Sequence, residues 1–285
     1  MNKKIYFLGP KTSYSDFAKE QVINDFKIEN YEECPMRTIT ATISELAKSN
    51  NSEDLAVIPI ENSIEGTVKE TIDNIARIEN PEIKILGETI VNIEHCLISY
   101  ATNFSEIKKI ISHPQALSQC YDYIYETFKD NIVLEPASST ANAVQSLSEN
   151  NKTIAAIGNE YSANYYKKPI LDKDINDEKF NKTRFLIIGT PKQTKTTDND
   201  KTSITFATEN ESGALCKILE ILRENSINMT YISSRPSRKS LGEYTFYIDV
   251  DGNVLDSKVS KAMFNILQHV KIFKHLGSYP KFYEQ

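Results

Sequence analysis

Asn181-Lys182-Thr183-Arg184-Phe185-Leu186-Ile187-Ile188-Gly189 is a short polar loop running into an unbroken apolar stretch. Phe, Leu and two Ile in succession, closed by Gly, is the composition of a β-strand buried on both faces. The sequence therefore sets a hydroxyl and a guanidinium side by side at the mouth of a sheet. Arg184 offers five donors in a rigid fork suited to a carboxylate, and the Thr183 hydroxyl can donate or accept a hydrogen bond. Together they suit a small anionic substrate that gains or loses a hydroxyl. Taken alone, the residues favour a plainer reading, a good strand former beside a solvated edge charge.

Working outward toward the N-terminus, apolar strands keep ending in hydroxyl-rich turns. Residues 5–8 read as a strand stopped by Gly9-Pro10, and Ser13 with Asp16 has capping-box spacing for a helix to about Phe26. A strand near 31–36 and a helix over 38–48 follow. The strand over 54–60 ends in Glu61-Asn62-Ser63-Ile64-Glu65-Gly66-Thr67, a dense polar run where α/β sheets place ligands. Thr67 with Glu70 also reads as a helix cap, which leaves Glu61, Asn62 and Ser63 to face a cleft. The β-rich passage over 82–100 is expected to cross into a second lobe.

In that lobe the strand over 107–111 leads to Ser112-His113-Pro114-Gln115, with Pro114 at a first helical position. His113 reads as a residue that shapes a site, not as a base. A strand over 132–134 leads to Ser138-Ser139-Thr140, another hydroxyl-rich cap. A strand over 153–157 and a helix over 159–166 complete the alternation. It predicts an α/β fold with a cleft lined by helix N-termini.

Downstream, 191–201 is polar and reads as a linker. The pattern restarts as strand 203–207, helix 212–223, strands 229–233 and 244–250, helix 257–270 and strand 272–276. That order, βαββαβ, is the ferredoxin-like arrangement, and its size and attachment suggest a regulatory or dimerising module.

Composition narrows the partners. The 285 residues carry a net charge of −6 with Lys and Arg dispersed among Asp and Glu, which argues against nucleic acid. No apolar stretch approaches the roughly twenty residues a bilayer requires, and the apolar run at the N-terminus is too short for a signal peptide, so a cytoplasmic protein is expected. Cys34, Cys96, Cys120 and Cys216 lack the paired spacing of a metal or redox motif and read as reduced and mostly buried. No metal or organic cofactor is called for.

Several of these stretches, in this order, resemble the monofunctional prephenate dehydratase family. They are Gly9-Pro10, Pro59-Ile60-Glu61-Asn62-Ser63-Ile64-Glu65-Gly66, Ser112-His113-Pro114-Gln115-Ala116-Leu117 with Gln119-Cys120, Ser139-Thr140-Ala141 and Thr183-Arg184-Phe185. The C-terminal part resembles an ACT domain through Gly213-Ala214-Leu215, Ser234-Arg235-Pro236 and Leu276-Gly277-Ser278-Tyr279-Pro280. The resemblance implies an α/β fold of two lobes of the periplasmic-binding-protein kind over 1–190, the second lobe at about 80–160, followed by the linker 191–201 and an ACT domain over 202–285. It implies decarboxylating dehydration of prephenate to phenylpyruvate in phenylalanine biosynthesis. It carries the catalytic hydroxyl to Thr183 and substrate contacts to Glu61, Asn62, Ser63, Ser112, Gln119, Ser139, Thr140 and Arg184. Helix N-termini at Ser13, Thr67, Ser112 and Ser139 are expected to hold carboxylates.

Regulation by L-phenylalanine would use Gly213, Ala214, Leu215, Asn228, Ser234, Arg235 and Pro236, and the ACT resemblance implies a homodimer or homotetramer. Two positions depart from the family pattern. Thr12 stands where a Gly is usual, and Ser233 replaces the usual Glu before Ser-Arg-Pro, so inhibition by phenylalanine would be weaker or altered. A different class of protein also fits, a catalytically silent two-lobed sensor that closes on a small anion.

Overall fold

The computed structural model describes residues 3–191, 196–237 and 243–282. They form three sheets. In the first, the order is Tyr31–Met36, Lys3–Leu8, Leu55–Asn62, Lys182–Gly189, Lys84–Asn92, with the two-residue strand Gly66–Thr67 paired to Leu55–Asn62. Lys182–Gly189 has a neighbour on each edge and runs antiparallel to both.

That central position explains its unbroken apolar run, because both faces are covered. On one face Phe185 and Ile187 pack with Ile5, Ala18, Val22 and Val57 beneath the helix Tyr14–Asp25. On the other, Leu186 and Ile188 pack with Ile58 and with Ile43 and Ile72 of the helices Ile39–Lys48 and Lys69–Arg77. Leu186, fully buried, contributes roughly 1.5–3 kcal/mol by leaving water.

The second sheet has the order Ile170–Asp172, Cys96–Ser99, Ile154–Gly158, Lys109–Ser112, Val133–Pro136. The chain enters it after Asn92 and returns after Asp172. The second lobe therefore lies later than the expected 80–160. The β-rich passage is two strands on different sheets, Lys84–Asn92 and Cys96–Ser99, separated by Ile93-Glu94-His95.

The third sheet, Met229–Pro236, Tyr244–Asp251, Asp200–Ala207, Ile272–Pro280, is antiparallel throughout, with helices Ala214–Glu224 and Ser257–Leu267 packed through Ile218, Val259 and Ile266. This is the βαββαβ arrangement. Strand begins at Asp200, inside the expected linker, where Asp200 pairs with Pro280 and its carboxylate accepts hydrogen bonds from the Thr197 N–H (2.9 Å) and from Asn253 Nδ2 (2.7 Å). Part of that linker, 192–195, lies outside the described residues. The open face of the sheet supplies Tyr247, Leu276 and Tyr279 to the first lobe's core.

All four cysteines are free, Cys96 and Cys120 buried and Cys216 exposed. Among the described residues, no helix is long and apolar enough to cross a membrane.

Candidate active site

A cleft of about 510 Å³ opens between the two lobes. The first lobe gives it Ser13, Asn62, Thr67, Thr183 and Phe185, the second gives His113, Gln119, Ser138, Ser139 and Thr140, and His95 lies at the crossing between them. A larger cavity, about 870 Å³, is lined by Tyr14, Phe17, Tyr161 and Lys173, but Lys173 is paired with Glu160 at 2.6 Å and no threonine lines that wall. Chemistry favours the smaller space.

Thr183 is 9% exposed, and its Oγ1 accepts a hydrogen bond from Asn62 Nδ2 at 3.0 Å. The orientation of that amide is held by backbone: Asn62 Oδ1 accepts from the N–H groups of Ile64 (3.0 Å) and Glu65 (2.9 Å). Nδ2 must then face Thr183, the Lys182 carbonyl (3.2 Å) and Asn181 Oδ1 (2.7 Å). With its oxygen already accepting, the Thr183 hydroxyl keeps its proton for a group in the cleft. Asn181 in turn donates from Nδ2 to Gln119 Oε1 at 3.0 Å, and His95 Nε2 lies 3.2 Å from the same oxygen. Burial pushes the His95 imidazole down to about 4, so it is neutral near pH 7.

Of the residues expected at the site, Asn62, Gln119, Ser139, Thr140 and Thr183 line this cleft. Ser139 caps the helix Thr140–Ser146, accepting from the Asn142 N–H at 3.0 Å. Four others do not line it. Arg184 follows Thr183 on a strand, so its side chain leaves by the opposite face. There its Nε lies 2.7 Å from Glu88 Oε2, and its Nη2 lies 2.7 Å from Asp249 Oδ2 and 3.2 Å from the Tyr279 hydroxyl. Burial works against the guanidinium's charge, but Asp249, with Glu88 behind it, outweighs that and raises its pKa.

Glu61 goes the same way, with Oε2 3.8 Å from Arg184 Nη1. The cause is a slip in register. Thr183 pairs with Asn62 and Arg184 with Glu61, but Phe185 pairs with Pro59, so Ile60 is bulged out. One extra residue exchanges which of two neighbours meets the cleft. The Ser63 hydroxyl ties the turn after Asn62 to the chain entering the central strand, donating to the Phe180 carbonyl (2.8 Å) and accepting from the Lys182 N–H (2.9 Å). Ser112 is fully buried and donates to the Ile157 carbonyl at 2.6 Å. The cap of the following helix, Pro114–Ser118, is His113, whose Nδ1 accepts from the Gln115 N–H.

Thr67 caps nothing. The helix Lys69–Arg77 begins at Val68 without a side-chain cap, the Thr67 hydroxyl meets that of Tyr231 at 2.6 Å, and Glu70 serves Thr40 instead. The Ser13 cap is present, accepting from the Asp16 N–H at 3.2 Å.

Three residues of the arrangement carried no sequence-based role: Asn181, His95 and Arg37. Arg37 is the only Arg or Lys lining the cleft among the described residues. It directly follows the strand Tyr31–Met36 and precedes the cap Thr38, a strand-to-helix position of the kind that flagged the other turns.

In the third sheet's unit, Gly213 (φ +86°) starts the helix Ala214–Glu224 and Leu215 packs on the core. Asn228 Nδ2 donates to Asp251 Oδ2 at 3.0 Å. Ser234, Arg235 and Pro236 end the strand Met229–Pro236, and Arg235 Nε donates to Asp73 Oδ1 at 2.9 Å, so its fork is directed at the first lobe.

Two α/β lobes around a cleft of hydroxyls and amides, with a ferredoxin-like unit braced against the first lobe, define a two-lobed small-molecule enzyme carrying an appended regulatory-type module. The prephenate dehydratase family model matches residues 5–193 and the ACT domain model residues 202–266. The chain belongs to the prephenate dehydratase family. It is 39% identical over 289 residues to the prephenate dehydratase of Methanocaldococcus jannaschii, covering 99% of this chain and 100% of that protein. Among solved structures, the prephenate dehydratase of Arthrobacter aurescens in complex with L-Phe has a TM-score of 0.85 at 31% identity, covering 97% of this chain and 90% of that one. GqqA, described as a novel type of quorum quenching acylase, has a TM-score of 0.84 at 25% identity, covering 98% of each chain.

Proposed function

We propose that the chain converts prephenate to phenylpyruvate, with Thr183 as the proton donor. The observation that carries this reading is the Asn62 Nδ2–Thr183 Oγ1 hydrogen bond of 3.0 Å, in which the hydroxyl accepts and its own proton stays available. Prephenate bears two carboxylates and a ring hydroxyl. When the ring carboxylate leaves as carbon dioxide, its bonding pair enters the ring, the ring C–O bond breaks, and the departing hydroxide takes a proton and leaves as water. Aromatisation drives the reaction, so the barrier lies in expelling hydroxide, and a positioned donor lowers it. The Asn62 amide then steadies the negative charge left on Thr183 Oγ1 until solvent returns the proton.

The dianion needs counter-charge. Arg184 is directed away from the cleft, and Arg37, with the capped turns at Ser13 and Ser139, takes its part. The geometry disfavours acyl transfer, since Thr183 Oγ1 meets an amide donor and not a base that would make it a nucleophile. We further infer that phenylalanine acts through the third sheet's unit, that these units pair in a homodimer or homotetramer, and that the enzyme works in the cytoplasm.

Purified protein mixed with prephenate is expected to form phenylpyruvate, followed by its absorbance. Thr183→Ala is expected to bind prephenate and lose about 10²–10⁴-fold in kcat. No product from the wild-type protein would leave the silent anion sensor as the reading.

A further inference from the structure

The polar groups beneath the cleft form one directional chain, and its direction can be read from the backbone. Ile64 and Glu65 N–H groups fix Asn62 Oδ1, so Asn62 Nδ2 is the donor toward Asn181. Asn181 Oδ1 therefore accepts, and Asn181 Nδ2 must donate onward to Gln119 Oε1. Gln119 is held the same way round from its other end, where Nε2 faces Glu65 Oε1 at 3.5 Å. Gln119 Oε1 thus presents lone pairs to His95 Nε2 at 3.2 Å, a contact that is attractive only if Nε2 carries the proton.

We propose that Asn181 is a positioning residue for the dehydration, which through Gln119 holds His95 as the neutral Nε2–H tautomer while it keeps Asn62 turned toward Thr183. Asn181 is 3% exposed and is absent from the cleft wall, so it acts through its neighbours and not on substrate. Amides do not readily pass protons along, and the chain is a brace, not a proton wire. It also spans the two lobes: Asn62, Asn181 and Thr183 belong to the first, Gln119 ends the helix Pro114–Ser118 in the second, and His95 sits at the crossing. Orientation at Thr183 is thereby tied to the apposition of the lobes.

On the far side of the ring, His95 Nδ1 lies 3.2 Å from the Tyr14 hydroxyl. That hydroxyl donates to the Glu94 carbonyl at 2.6 Å, and it can either accept from Nδ1–H or turn its proton to a bare Nδ1, so it fits both tautomers. The tautomer is therefore set from the Gln119 side.

Replacing one oxygen-and-nitrogen amide by a carboxylate tests the direction without changing the shape. In Asn181→Asp one oxygen still accepts from Asn62, but the other faces Gln119 Oε1 and repels it. Gln119 must turn over and present Nε2 to His95, which converts to the Nδ1–H form. Two readouts follow. Ring-¹⁵N spectra of the full-length protein, with His95 assigned by the signal lost in His95→Gln, are expected to give Nε2–H in the wild type. Asn181→Asp is expected to give Nδ1–H and, among molecules that remain folded, a kcat at least about tenfold lower with KM within about threefold, while the buried carboxylate lowers the unfolding midpoint. An Nδ1–H tautomer in the wild type overturns the proposal, as does a kcat within twofold of wild type in Asn181→Asp. The kinetic arm rests on the proposed activity. The wild-type tautomer does not, so it decides the proposal even if prephenate is not turned over or the variant fails to fold.

Discussion

Arg184 Nη2 lies 2.7 Å from Asp249 Oδ2, so the residue next to Thr183 is anchored in the third sheet and not in the cleft. Glu88 and Lys201 complete the buried group, with Lys201 Nζ 3.0 Å from Glu88 Oε2. The side chains of Arg184, Glu88 and Asp249 are 10%, 4% and 0% exposed. Removing one member of such a group leaves the others charged and uncompensated, which costs about 3–5 kcal/mol. Arg184→Gln is therefore expected to lose stability of that order in denaturant unfolding, with little change in KM among molecules that remain folded. A raised KM at unchanged stability would return Arg184 to the substrate.

Arg37 is expected to behave the other way. It is exposed at the cleft wall, so its loss should cost little stability. A charge-assisted hydrogen bond to a substrate carboxylate contributes about 1.5–3 kcal/mol, so Arg37→Gln should raise the KM for prephenate about tenfold to a hundredfold. Steady-state kinetics beside unfolding curves check this, and an unaltered KM sinks the assignment.

The contrast between the two arginines shows what the chain discloses and what it hides. Alternation of apolar runs with hydroxyl-rich turns is legible because each strand and each cap is written in adjacent residues, and both α/β lobes and the βαββαβ unit follow from it. Faces are harder. Period two already places Thr183 and Arg184 on opposite sides of one strand, so they cannot both meet a ligand there. Which of Glu61 and Asn62 joins Thr183 depends on the bulge at Ile60, a register slip with no local signature. His95 is hidden for another reason. It interrupts a β-rich passage where nothing marks the change of sheet, and its partners Gln119 and Tyr14 are distant in sequence.

Stability should fall on acidification through His95. Burial pushes its folded pKa to about 4, below the ordinary 6.5, so the folded state binds its proton less readily than the unfolded state. The stabilisation from keeping it neutral is full above about pH 6.5, declines as pH falls, and is gone below about pH 4. At about 1.4 kcal/mol per unit, the gap is worth about 3 kcal/mol at most. Urea unfolding at a series of pH values should show the decline, and His95→Gln should flatten part of it. His275, held down to about 4 by burial and by Lys84, supplies a further part with the same sign. Stability that is level from pH 7 to 4 would contradict the buried neutral histidine.

The brace between the third sheet and the first lobe can be loosened without touching the cleft. At Gly277 a Cβ would stand 2.3 Å from the Ile85 carbonyl oxygen and 3.0 Å from its backbone nitrogen, and neither can swing aside as a side chain would. Gly277→Ala must lift the strand Ile272–Pro280 from Lys84–Asn92, stretching the Lys84 Nζ contact to the His275 carbonyl, now 2.6 Å, and drawing Asp249 from Arg184. Overpacking of this kind costs about 1–3 kcal/mol, so the unfolding midpoint should drop measurably. Because Thr183 keeps Asn62 as its partner on the opposite face, turnover below the unfolding range should survive while any response to phenylalanine weakens. An unshifted midpoint would mean that the two units are not pressed together at this glycine.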